Sequence, residues 1–163
     1  MIILGIDPGT ATTGYGIIES HKKSGEFKLV DFGVIETKKT LSDAERLKIL
    51  GDDIKDIIKK YSPEAVGVEK LFFTSNQKTA ITVAQARGVA LYICQTNSLP
   101  VLEYTPLQVK NFICGYGKAE KKQVQYMVQK TFKLKKIPKP DDAADALAVA
   151  LCAGHFYRNS KYL

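Results

Sequence analysis

Apolar residues recur along the chain with two distinct periods. Ile2 to Ile6 is an almost unbroken apolar run, as expected of a buried strand, and Asp7-Pro8-Gly9-Thr10 breaks it. Tyr15 to Glu19 and Lys28 to Glu36 predict two further strands, with Ser24-Gly25 in the turn between them. Three short strands joined this tightly predict an antiparallel meander. From Leu47 the period changes: Leu47, Leu50, Ile54, Ile57, Ile58 and Tyr61 repeat at helical spacing behind the capping-box pair Ser42 and Glu45, and Ser62-Pro63 closes the helix. Ala65 to Leu71 predicts a fourth strand.

A long helix is expected from Ser75 or Asn76 to about Asn97. Its apolar set (Ala80, Ile81, Val83, Ala84, Val89, Ala90, Leu91, Ile93) is too wide for one buried face, which predicts burial on two sides. Val101 to Tyr104 is a fifth strand. Thr105-Pro106 starts a short helix that runs to about Ile113, before Gly115-Tyr116-Gly117. Lys118 to Phe132 predicts another helix, with Val124, Met127, Val128 and Thr131 on one side. After Pro138 and Pro140, a last helix begins at Asp141 or Asp142 and continues through Leu151. The order β-β-β-α-β-α-β-α-α-α predicts an α/β fold with a mixed five-stranded sheet and helices on both faces. At 163 residues, with no repeat or linker, the chain is expected to form one domain.

Composition excludes several classes. No run approaches the roughly 18 apolar residues of a membrane span, and the opening residues lack the features of a secretory signal. Cys94, Cys114 and Cys152 are scattered and odd in number, which argues against disulfides or zinc and for a cytoplasmic protein. Charge is more telling. The net charge is +7, and the segment 118–139 alone holds eight lysines against one glutamate, so it accounts for the whole excess. A concentrated basic patch suits a polyanion such as DNA, because each neutralised phosphate releases counterions. On charge alone, a solvated lysine-rich face is an equal reading.

Carboxylates carry the chemistry. Asp7 follows an apolar strand and Glu69 ends the run Ala65-Val66-Gly67-Val68, so both stand at strand carboxyl ends, where open α/β sheets place their sites. Asp142 and Asp145, three apart at a helix start, share a face. Taken singly, Asp7 is a turn former, Glu69 an edge residue and Asp142 a helix cap. Together they suggest a shared site, since acids among apolar residues need a partner or a metal. Four carboxylates without a histidine cluster suit Mg²⁺, and two ions would serve phosphodiester hydrolysis. His21 and His155 are lone residues, read as structural or surface.

The same residues resemble a known family. Gly5-Ile6-Asp7-Pro8-Gly9 with Thr13-Gly14-Tyr15-Gly16, Val68-Glu69-Lys70-Leu71-Phe72, Gln85-Ala86-Arg87-Gly88-Val89-Ala90, Ala119-Glu120-Lys121 with Gln123-Val124-Gln125, and Asp142-Ala143-Ala144-Asp145-Ala146-Leu147-Ala148 are similar to blocks of the RuvC crossover-junction endonucleases, in order, over residues 1 to 155. The resemblance implies an RNase H-like fold and a homodimer that makes paired, symmetric nicks in four-way DNA junctions during recombination and repair. It puts Asp7, Glu69, Asp142 and Asp145 on metal-binding and catalytic positions, with Mg²⁺ as the cofactor and Mn²⁺ as a substitute. Lys121 and Lys110 fall on basic positions near the scissile phosphate, and Phe72 on an aromatic that meets bases. Lys118, Lys122 and Phe73 join these as candidate DNA contacts. Partnership with the RuvA–RuvB branch-migration machinery is implied as well. Asp141 stands beside Asp142 as an alternative ligand, and Phe73 beside Phe72 as an alternative wedge.

Other readings start from the same residues. Gly5-Ile6-Asp7-Pro8-Gly9-Thr10 also resembles the first phosphate loop of actin-like and sugar-kinase ATPases, but those need two such domains. A YqgF-like nuclease of the same fold acting on RNA is closer. A DNA-binding module without catalysis explains the lysines but not the carboxylates.

Overall fold

A computed structural model describes residues 1–21, 25–71 and 77–160. Its elements are β1 (Ile2–Asp7), β2 (Thr12–Ser20), β3 (Phe27–Glu36), α1 (Asp43–Tyr61), β4 (Ala65–Glu69), α2 (Gln77–Thr96), β5 (Val101–Tyr104), α3 (Pro106–Cys114), α4 (Lys121–Thr131) and α5 (Asp141–Ser160). The expected order is the observed one. The strands form a five-stranded sheet ordered β3-β2-β1-β4-β5. β1, β2 and β3 are the antiparallel meander, while β4 and β5 add in parallel to β1.

Strand alternation sorts side chains between two cores. Leu4, Ile6, Ile17, Val66 and Val68 pack with Leu50, Ile54 and Ile58 of α1 and with Ala86, Ala90 and Cys94 of α2. Ile3, Ile18 and Ala65 face the other way, onto Leu147, Val149 and Ala150 of α5, with Val109 of α3 and Val124 and Val128 of α4 around them. Period-2 alternation therefore sends Asp7 and Glu69, at i+4 from Ile3 and Ala65, to the α5 side.

Helix α5 lies unusually close to the sheet. A Cβ on Gly5 would strike the Ala146 carbonyl oxygen and sit 2.8 Å from the Ala150 Cβ, and a Cβ on Gly14 would strike the Asp142 carbonyl. The close approach depends on missing side chains in the strands and on alanines in the helix. It seats the first turn of α5 directly over β1 and β2.

Several boundaries differ from expectation. α4 begins at Lys121 rather than Lys118, because Glu120 is its N-cap and closes a capping box with Gln123. Lys118 lies in the preceding turn. Met127 is exposed, and Gln125 takes the buried place beside Val124 and Val128. The arc formed by 124, 125 and 128 excludes 127, which points about 100° away from it. β4 stops at Glu69, two residues short of the predicted Leu71, and α5 continues past Leu151 to Ser160.

The wide apolar stripe of α2 is split between two faces. Ala86, Ala90 and Cys94 are fully buried, while Ala84 and Gly88 are exposed and Ile81 and Tyr92 are 69% and 67% exposed. The predicted second burial is absent within the described chain. No described helix is long and apolar enough to cross a membrane.

Candidate active site

The parallel pairing of β1 with β4 is what brings the first two acids together. Gly5 pairs with Gly67 and Ile6 with Val68, so Asp7 and Glu69 follow side by side at the carboxyl ends. The close seating of α5 then lowers Asp142 and Asp145, in its first turns, onto the same end of the sheet. The positive end of the helix dipole favours carboxylates there.

Asp7 feels the charges of the other three acids. Burial, followed by the charges of Glu69, Asp145 and Asp142, holds the Asp7 carboxyl well above the usual carboxylate range, with Lys121 acting against it. Glu69 is pushed up to about 7, first by burial and then by Asp145, while Lys110 and Lys121 pull it down. Asp145 is raised by burial despite its bond to Lys121. Carboxylates crowded in this way favour a cation or a proton.

Lysines rim the cluster. Lys121, the first residue of α4, places Nζ 2.9 Å from Asp145 Oδ2 and 3.9 Å from Asp141 Oδ2. Burial tends to lower its pKa, but the hydrogen bond and charge of Asp145, with the charges of Asp141 and Asp142, raise it, so it remains an ammonium. Asp141 also pairs with Lys139 Nζ at 3.0 Å. Asp142 adds to the field on Asp7, whereas Asp141 faces these lysines.

Two adjoining clefts open at this end of the sheet. One, of about 550 Å³, is lined by Asp7, Glu69, Lys70, Val83, Leu107 and Lys110. The other, of about 190 Å³, is lined by Glu69, Lys110, Lys121 and Asp145 among others. Glu69 and Lys110 line both. The turn after β1 is held in place: the Thr13 hydroxyl donates to the Gly9 carbonyl at 2.5 Å, and the Thr37 hydroxyl donates to the Thr10 carbonyl at 2.5 Å.

The donor set fits a hard divalent cation, being all oxygen. Among the described residues, no three Asp, Glu, His or Cys side chains converge closely enough to enclose an ion by themselves. Mg²⁺ usually keeps water and substrate phosphate in its shell, so it does not require carboxylates that enclose it. The structure thus brings Asp7, Glu69, Asp142, Asp145, Lys110 and Lys121 together. Lys118 and Lys122 are exposed nearby in sequence. Phe72 and Phe73 lie outside the described residues. His155 packs against Phe112 with ring centroids 5.0 Å apart, and His21 sits 3.7 Å from Glu19, in line with structural or surface roles. Val83 and Leu107 of the large cleft were not foreseen; as apolar residues in helices, they carry no chemical signal in the sequence.

Comparison with known proteins gives a consistent result. The model of the family described as crossover junction endodeoxyribonuclease RuvC matches residues 3–153. The chain is 54% identical over its full length to the crossover junction endodeoxyribonuclease RuvC of Clostridioides difficile, covering 95% of that protein. It superposes on the Thermus thermophilus RuvC structure with a TM-score of 0.89 at 33% identity, covering 98% of this chain and 97% of that one. The same Thermus protein solved in complex with a Holliday junction substrate matches with a TM-score of 0.90 and 33% identity, over 98% and 96% of the two chains. A yeast mitochondrial Holliday junction resolvase, 14% identical with a TM-score of 0.67 over 99% of this chain and 86% of its own, shares the fold.

Proposed function

The chain belongs to the RuvC family of crossover junction endodeoxyribonucleases, and from this we propose that it resolves four-way DNA junctions by hydrolysing phosphodiesters at the carboxylate cluster. The observation that carries the reading is the convergence of Asp7, Glu69 and the first turn of α5 at one end of the sheet, beside Lys110 and Lys121.

In this reading Asp7, Glu69, Asp142 and Asp145 hold the divalent metal, with two Mg²⁺ ions per site and Mn²⁺ as a working substitute. When bound, the metal would activate water for attack and neutralise charge on the phosphate. Attack on phosphorus breaks the bond to the 3′ oxygen and leaves a 3′-hydroxyl and a 5′-phosphate. Lys121, fully protonated, donates to the non-bridging phosphate oxygens as their charge grows, and Lys110, which lines the same cleft, steadies the phosphate. The lysine-rich segment around Lys118 and Lys122 neutralises the DNA arms, and Phe72, with Phe73 as its alternate, stacks on bases unpaired at the crossover.

A junction has two strands to cut, and one chain carries one cluster. We assign the exposed α2 face to a second copy. Ile81, Ala84, Gly88 and Tyr92 form an apolar stripe, and the space around Gly88 is open. Small residues there let two such helices approach closely under two-fold symmetry. Acting on chromosomal junctions, the protein works in the cytoplasm beside the RuvA–RuvB branch-migration complex. The deciding experiment is cleavage of a synthetic four-way junction with and without Mg²⁺, alongside Asp7→Asn. Metal-dependent paired nicks are expected from the wild type, and binding without cleavage from the variant. Cleavage in chelator, or by Asp7→Asn within a few-fold of the wild type, would overturn the reading.

A further inference from the structure

Lys121 has two carboxylates to choose from. Its Nζ lies 2.9 Å from Asp145 and 3.9 Å from Asp141, and the other oxygen of Asp141 is fixed by Lys139 at 3.0 Å. Asp141 is thus anchored on one side and open to Lys121 on the other. Its side chain is half-exposed, while that of Asp145 is the more enclosed of the two. Gln125, buried one turn along α4 from Lys121, lies beside it. If Asp145 accepts a divalent ion, as the proposed function requires, its carboxylate cannot also keep an ammonium at hydrogen-bond distance without setting two cations side by side. The ammonium has to move, and a carboxylate already within 4 Å gives it a place to go that is still at the site.

We propose that Asp141 is a positioning residue rather than a metal ligand: it provides the alternate seat to which Lys121 shifts when Asp145 engages metal, so that the ammonium stays beside the phosphate. This rests on the reading of Asp145 as a ligand. Without Asp141, Asp145 is the one carboxylate left within 4 Å of Lys121 among the described residues, and the ammonium competes with the metal for it.

The test is a double-mutant cycle on the full chain, read as the Mg²⁺ concentration at which half the metal-induced rise in melting temperature is reached. Asp141→Asn should raise that midpoint by roughly two- to fivefold, the weight of one partly exposed ion pair. In a Lys121→Met background, which removes the ammonium paired with Asp145, Asp141→Asn should leave the midpoint nearly unchanged. An equal loss in both backgrounds would mark Asp141 as a direct ligand and overturn the proposal. A fall in the metal-free melting temperature with no change of midpoint in either background would reduce Asp141 to a first-turn acid that stabilises α5, and would overturn it as well. Asp145→Asn, run in parallel, separates the two layers: if it too leaves the midpoint unchanged, the ligand assignment itself has failed.

Discussion

Glu69→Gln tests whether the cluster is assembled for chemistry at the expense of the fold. In the folded chain Glu69 gives up its proton at about 7, against an ordinary value of 4.5. The unfolded chain therefore ionises first as pH rises. Below the ordinary value the group is protonated in both states and contributes no penalty. Between there and neutrality the unfolded state gains, and above the folded value the loss is complete and constant. At one pKa unit per 1.36 kcal/mol, that loss is about 3 kcal/mol as an upper bound, since part of the side chain remains in water. Glutamine keeps the shape and never ionises. In chelator, Glu69→Gln should thus melt above the wild type by roughly 5–10 °C at pH 8, and the two should converge near pH 4.5. The assay is a pair of thermal denaturation series across that range. Added Mg²⁺ should then raise the wild type much more than the variant. A variant equal to or less stable than the wild type at pH 8 in chelator, or a gap that does not change with pH, would refute the account of Glu69 as a repelled, desolvated acid.

Three further outcomes rest on packing and charge. Gly14→Ala puts a methyl into the Asp142 carbonyl, so α5 must lift; a stability loss of about 1–3 kcal/mol in denaturant titration is expected, with cleavage falling further than the melt alone explains. Ala84→Glu and Tyr92→Glu change exposed positions and should leave the fold intact while shifting sedimentation to monomers and abolishing paired cuts; a dimer that survives both would sink the α2 interface. Neutralising Lys121 and Lys122 should flatten the salt dependence of junction binding by about 0.9 in log–log slope for each phosphate left without its ammonium, and an unchanged slope would return them to solvated surface.

Much of this fold was legible along the chain because its signals are local. The apolar run of β1, the capping box at Ser42, the Thr105-Pro106 helix start, and the breaks at Pro8 and Pro63 each depend on neighbours a few residues away. The acids at the ends of β1 and β4 could be picked out because charge at the edge of an apolar strand is costly without a purpose. Tertiary structure alone decided how those pieces meet. No local signal says that Gly5 and Gly14 exist to admit α5, and it is that approach which carries Asp142 and Asp145 to Asp7. The sequence showed that α2 had apolar surface to spare. Only packing revealed that Ala86, Ala90 and Cys94 turn inward, leaving Ile81 and Tyr92 outside. Asp141 and Asp142 look alike in sequence, yet one faces Lys139 and Lys121 and the other adds to the field on Asp7. Helix α5 rises about 1.5 Å and turns about 100° at each residue, so adjacent acids point into different surroundings, which distant parts of the chain supply.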